Sequence, residues 1–129
     1  MNVVVLVYSA DSSLRADVID ALGDTMAEAD LEIREVATPA AVLAELDQGD
    51  VDCCILDAEA SPLGGMGLSK QIRDEYEYAP PVLLLLTREA DSWLAAWSRA
   101  EAVQMLPIDP LTLPKLVEDL VFVEVDETA

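Results

Sequence analysis

The chain of 129 residues has room for one ordinary domain and too little for two. Its hydrophobic content of 53% is enough to bury a core, and this outweighs the disorder that few aromatics and many charges would favour. With 26 acidic against 7 basic residues, a formal net charge of −19, the chain lacks the concentration of Lys and Arg that phosphate backbones require, so direct nucleic-acid binding is not expected.

The first apolar run, Val3 to Tyr8, is too short for a helix and rich in Val, as befits a strand buried on both faces. A helix is predicted from Ser12 to about Ala29, capped by Asp11, with Leu14, Val18, Leu22 and Met26 four residues apart and Gly23 weakening it slightly. Leu31 to Val36 is a second, weaker strand. The next helix opens with Thr38 as cap and Pro39 in its first turn, carries Val42, Leu43 and Leu46 and stops near Gly49.

Val51 to Leu56 forms a third strand that Asp57 closes. Its adjacent Cys53 and Cys54 suit neither a redox pair nor a zinc site and are expected to be buried, reduced thiols. A helix follows Gly65 through Leu68 and Ile72 to about Glu75. Strand Val82 to Leu86 comes next, and then a helix within Glu89 to Ala100 that places Trp93 and Trp97 on one face. Val103 to Leu106 is a weak fifth strand, and a last helix runs from near Pro110 or Pro114 to about Val123, Pro114 being tolerable only in the first turn.

Five alternations of strand and helix call for a single α/β domain over residues 1–129, a doubly wound parallel sheet with right-handed crossovers and helices on both faces. In such sheets, sites form beyond the C-terminal ends of the strands, which selects Ser9, Ala10, Asp11, Asp57, Thr87, Leu106 and Pro107. The chain has no histidine, which removes His bases, His triads and His metal sites. No apolar stretch approaches the roughly 18 residues of a membrane span and the start is not basic, so a soluble, cytoplasmic protein is expected.

Asp57 at the end of the third strand, Gly65 in the following loop, Ile72-Arg73 at the end of the third helix, Thr87 after the fourth strand and Pro107-Ile108-Asp109-Pro110-Leu111 occur together in one order and spacing. In these residues the whole chain resembles the receiver domains of two-component response regulators. The resemblance implies a flavodoxin-like fold with a five-stranded parallel sheet ordered 2-1-3-4-5. It further implies Asp57 as phosphoacceptor, Thr87 as the hydroxyl that follows the phosphoryl group, and Mg²⁺ held by an acidic pair, the phosphoacceptor and a loop carbonyl, here that of Glu59.

The departures lie in the cation-handling groups. The acidic pair falls on Ser9 and Ala10, the lysine before proline on Leu106 and the aromatic switch residue on Val103, and the Thr87 to Pro107 region is shorter by roughly one helical turn. Asp57, the Glu59 carbonyl, Ser9 and Asp11 would remain as ligands, so Mg²⁺ binding is expected to be weak or absent. Each lost charge-assisted contact costs about 1.5 to 3 kcal/mol, which slows transfer to Asp57 by several powers of ten when two are lost.

The expected function is therefore that of a stand-alone, atypical receiver domain, not an enzyme, which binds a sensor histidine kinase or another signalling protein and uses Asp57 as an inefficient phosphoacceptor. Plainer roles stand beside each residue: Asp57 a locally bonded aspartate, Thr87 a strand-end cap, Asp11 a helix cap and Leu106 packing. Trp93 and Trp97 belong either to the core or to a partner or homodimer surface. One rival is a fully working Mg²⁺-dependent receiver in which Asp11 restores metal binding. Another is a small-ligand-binding flavodoxin-like domain, for which the Gly-rich phosphate loop is missing. The acidic, lysine-poor composition resembles that of proteins from salt-loving archaea, in which concentrated salt screens self-repulsion.

Overall fold

Three runs rich in Val, Ile and Leu become the middle of a sheet: β1 (Asn2–Tyr8), β4 (Cys53–Asp57) and β5 (Val82–Leu86). The computed structural model describes residues 2–58, 65–87 and 99–122. The other described strands are β2 (Thr25–Met26), β3 (Ala29–Val36) and β6 (Ala102–Met105), and the described helices are α1 (Ser12–Leu22), α2 (Pro39–Asp47), α3 (Gly65–Glu75) and α4 (Thr112–Val121). The helix expected within Glu89 to Ala100 falls mainly on residues outside that range.

The sheet is six-stranded, in the order β2-β3-β1-β4-β5-β6. Neighbours from β3 to β6 pair in parallel, whereas β2 pairs antiparallel to β3, Met26 opposite Ala29. This corrects the expected five-stranded, all-parallel sheet ordered 2-1-3-4-5, which describes the parallel part alone. The same segment corrects the first helix, which stops at Leu22 and not near Ala29. Gly23 takes φ 74° and ψ −157°, a positive-φ conformation essentially confined to glycine, while its N–H donates to the Ile19 carbonyl at 3.0 Å. The chain then turns through Ala27 and Glu28, both at positive φ, into β3. Met26 still reaches the core, 4% exposed, but from an edge strand.

Strand alternation splits the core into two layers. Val3, Val5, Val7, Cys53, Ile55, Leu83 and Leu85 face Val18 and Leu22 of α1 and Leu113 and Val117 of α4. Leu6, Tyr8, Cys54, Leu56, Leu84 and Leu86 face Val42 and Leu46 of α2 and Leu68 and Ile72 of α3. Both cysteines are buried and free, and burial pushes both thiols up, that of Cys54 to about 12. Thr38 caps α2 as expected, its Oγ1 accepting from the Ala41 N–H at 3.2 Å. Pro114 sits within the first turn of α4. Among the described residues no helix is long and apolar enough to cross a membrane.

At the other end of the sheet, one Glu101 carboxylate oxygen accepts from Arg73 Nη2 at 2.6 Å and from the Val82 N–H at 2.8 Å, tying α3 to the start of β5. Helices α2 and α3 are joined by the Tyr76 hydroxyl, which donates to Asp47 Oδ1 at 2.7 Å.

Two outcomes follow from these contacts. The bond to Asp47, ahead of burial and of the Asp47 charge itself, pushes the Tyr76 phenol up to about 12. Because the folded state raises this pKa, the stabilisation it brings is complete below the ordinary tyrosine value of about 10 and is lost as pH rises through about 12. In an ultraviolet phenolate titration, assigned with Tyr76→Phe, Asp47→Asn is expected to move the Tyr76 midpoint downward. Separately, nothing lies within 4 Å of a methyl group added at Gly23, so Gly23→Ala tests backbone strain alone. A loss of about 1 kcal/mol in urea unfolding is expected.

Candidate functional site

Parallel pairing places Tyr8 at the end of β1 opposite Leu56 of β4, so Ser9 and Asp57, each the next residue, meet at the C-terminal edge of the sheet. Both are buried polar residues, Ser9 at 0% and Asp57 at 6% exposure. The Ser9 hydroxyl donates to Asp57 Oδ2 at 2.8 Å. A carboxylate taken from water needs such donors, since leaving it unbonded costs several kcal/mol, on the order of the desolvation penalty.

The rest of the β1–α1 turn is built around the same serine. The Asp11 N–H donates to Ser9 Oγ at 3.0 Å, and the Ser9 N–H donates to the Val36 carbonyl of β3 at 3.2 Å. Arg15 reaches back from α1, its Nη1 donating to the Ser9 carbonyl at 2.6 Å, while its Nε pairs with Glu35 Oε1 at 3.1 Å. Tyr8, fully buried, carries a phenol whose pKa is raised by burial and, next, by the Asp57 charge, which keeps it neutral beside that carboxylate.

Asp11 is the N-cap of α1, its Oδ1 accepting from the N–H groups of Ser13 at 2.8 Å and Leu14 at 3.4 Å. Thr87 follows β5 directly and is exposed. Leu106 donates its N–H to the Leu86 carbonyl at 2.7 Å, and its side chain packs against the α1 and α4 layer. Val103 is 36% exposed on β6. Ala10 is exposed beside Ser9. Glu59, Trp93 and Trp97 lie outside the described residues. The structure thus brings Asp57 and Ser9 into contact and connects Asp11 to them through its backbone. Sequence reasoning missed Arg15 and Tyr8. Only the position of Tyr8, the last residue of a buried strand beside the one ending in Asp57, signalled its proximity.

The described donors do not fit a Mg²⁺ shell, which wants several oxygens in a strict octahedron. Asp57 offers a carboxylate already bonded to a hydroxyl, and the Asp11 Oδ1 atom is engaged with two backbone N–H groups. Among the described residues no group of three His, Cys, Asp or Glu side chains comes together in a way that could hold a metal ion. A hollow of about 370 Å³ lies elsewhere, lined by Asp17, Asp20, Ala21, Pro107, Ile108 and Pro110. What the Asp57 site can do is present one carboxylate at the mouth of a parallel sheet, with the Ser9 hydroxyl donating to it.

No protein-family model matches the chain. Among solved structures, a putative response regulator from Chloroflexus aurantiacus superposes with a TM-score of 0.80 at 18% identity, over 94% of this chain and 98% of that one. The chemotaxis response regulator CheY4 of Vibrio cholerae gives 0.77 at 22% identity, over 93% and 99%. The signal receiver domain of the putative response regulator NarL from Mycobacterium tuberculosis gives 0.77 at 22%, over 92% and 94%. These likenesses concern the fold. The sequence itself is 46% identical over 118 residues, 90% of this chain and 89% of the relative, to an uncharacterised response regulatory protein found in two strains of Mycobacterium tuberculosis. That identity, across nearly the full length of both chains and on a receiver fold with an aspartate at the end of β4, makes the chain a member of the response-regulator family, a receiver domain of two-component signalling.

Proposed function

We propose that this receiver is atypical: Asp57 accepts a phosphoryl group slowly, Mg²⁺ takes little or no part, and the output is contact with a partner protein. The observation that carries this reading is the bond from Ser9 Oγ to Asp57 Oδ2 at 2.8 Å, a neutral hydroxyl at a position where the resemblance puts a metal-binding carboxylate. Asp11 supports it, since its carboxylate oxygen serves the start of α1. Leu106 supports it too, an apolar side chain where the resemblance puts a cation.

In the step itself an Asp57 carboxylate oxygen attacks the phosphorus of a phosphohistidine on a sensor kinase. The P–N bond breaks, its electrons return to the imidazole with a proton, and an acyl phosphate remains on Asp57. The chain contributes position and a hydroxyl donor, with no lysine at residue 106 to hold the transferred oxygens. Two missing charge-assisted contacts of about 1.5 to 3 kcal/mol each correspond to roughly two to four powers of ten in rate. The partner is a sensor histidine kinase or another signalling protein. The excess of 26 acidic over 7 basic residues suits a medium of concentrated salt, where repulsion among exposed charges is screened.

Incubation with acetyl phosphate, followed by intact mass, tests the reading. The expected result is slow modification that Asp57→Asn abolishes and that changes little when Mg²⁺ is added. Rapid modification that requires Mg²⁺ would overturn the atypical reading, and an unmodified wild-type chain would overturn Asp57 as acceptor. For the salt reading, the thermal midpoint is expected to climb as KCl is raised to about 1 M, where the Debye length falls to about 3 Å. A midpoint that is flat or falling counts against it.

A further inference from the structure

Ser9 has four hydrogen-bonding functions and all are engaged. Its N–H is held by Val36 of β3 at 3.2 Å, its carbonyl by Arg15 of α1 at 2.6 Å, and its hydroxyl oxygen by the Asp11 N–H at 3.0 Å. A hydroxyl has one proton to give, so with Asp11 donating into the oxygen that proton is directed to Asp57 Oδ2 at 2.8 Å. The contact from Arg15, a charged donor on a carbonyl, is charge-assisted, as is the hydroxyl's own bond to the Asp57 carboxylate. Arg15 is itself held at a second point by Glu35, and its side chain is only 17% exposed. A guanidinium can serve both points at once because its N–H groups diverge in one rigid plane, which an ammonium lacks.

We propose that Arg15 is a positioning residue for Asp57. Anchored by Glu35 on β3, it fixes the Ser9 carbonyl and so the whole turn from Ser9 to Asp11. That keeps the Ser9 hydroxyl on Oδ2 and presents the Asp57 carboxylate in one orientation. Arg15 acts through Ser9 and touches neither phosphodonor nor product. For phosphoryl transfer the assignment rests on Asp57 being the acceptor; for carboxylate orientation it does not.

A double-mutant cycle on the full chain tests it, reading two signals: the rate at which acetyl phosphate modifies Asp57, and the side-chain carboxyl carbon resonance of Asp57 in NMR. Arg15→Gln is expected to slow modification about tenfold, the effect of losing one oriented hydrogen bond. Adding it to Ser9→Ala should slow that variant no further, because the path runs through the serine. Arg15→Lys keeps the charge without the two-point geometry and should recover only part of the rate. Arg34→Gln removes a cation paired with Glu32, Glu45 and Asp50 and should leave the rate unchanged. If Ser9→Ala does not fold, Ser9→Cys, a weak donor of similar shape, takes its place.

Additive effects in the cycle, full rescue by lysine, or an equal loss in Arg34→Gln would each overturn the assignment. Should the wild-type chain take no phosphoryl group, the reading of Asp57 as acceptor fails, and the resonance decides the role of Arg15 by itself. A shift in Arg15→Gln that does not add to that of the serine variant supports it, and an unmoved resonance overturns it.

Discussion

The hydrogen bond between Ser9 and Asp57 is the contact on which the functional end of this molecule depends, because it joins two buried polar residues at the ends of neighbouring strands. Asp57 is 6% exposed at the end of a strand whose other residues are apolar, and a carboxylate there needs a donor. Ser9, with no exposure, is a hydroxyl that would cost about 1 to 3 kcal/mol if its bonding were left unmade. The parallel register of β1 and β4 puts the two residues side by side, so the sheet that buries them also joins them. From Ser9 the constraint spreads to the Val36 carbonyl on β3 and to Arg15 on α1, which makes the β1–α1 turn a rigid shelf.

Cations are scarce here, and their use is informative. Among the described residues, Arg15, Arg34, Lys70, Arg73 and Arg99 are held in ion pairs. Arg34 alone gathers Glu32, Glu45 and Asp50, and its bonds hold the Glu32 and Asp50 carboxyls below the usual carboxylate range. Such solvent-facing pairs contribute little to stability and weaken further in salt, so their main effect in a chain of net charge −19 is local relief of repulsion. Arg15 stands apart because its partner on one side is a buried residue's carbonyl.

Local signals made most of the fold legible. Thr38 and Pro39 open α2 and Gly49, at φ 81°, follows its end, while β1, β4 and β5 are each built on a short apolar run. The end of α1 was misread because Met26 continues a four-residue apolar spacing and the turn into β3 uses Ala27 and Glu28, without the Asn or Gly that announces such turns. Packing of Met26 on the sheet edge outweighed the spacing, and a two-residue strand leaves too little pattern to read. At the site, Asp57 and Ser9 were visible because strand ends are where parallel sheets place their chemistry. The role of Arg15 was not, since a bond from a side chain to a backbone carbonyl six residues away has no signature in residue type.

The departures from an ordinary receiver are better understood together than singly. Several carboxylates in one small pocket repel one another and persist only when cations stand among them. Residue 106 is leucine, so the cation that the resemblance places there is missing; an acidic pair retained beside Asp57 would leave its charge uncompensated from that side. With Ser9 and Ala10 in those two positions, Asp57 is the one carboxylate among the described residues that end the strands, and the Ser9 hydroxyl is oriented to it. Loss of the acids and loss of the lysine are thus matched changes in charge. On the reading proposed above, they would leave a pocket consistent in charge at rest but poorly equipped for the further negative charge of a phosphoryl group.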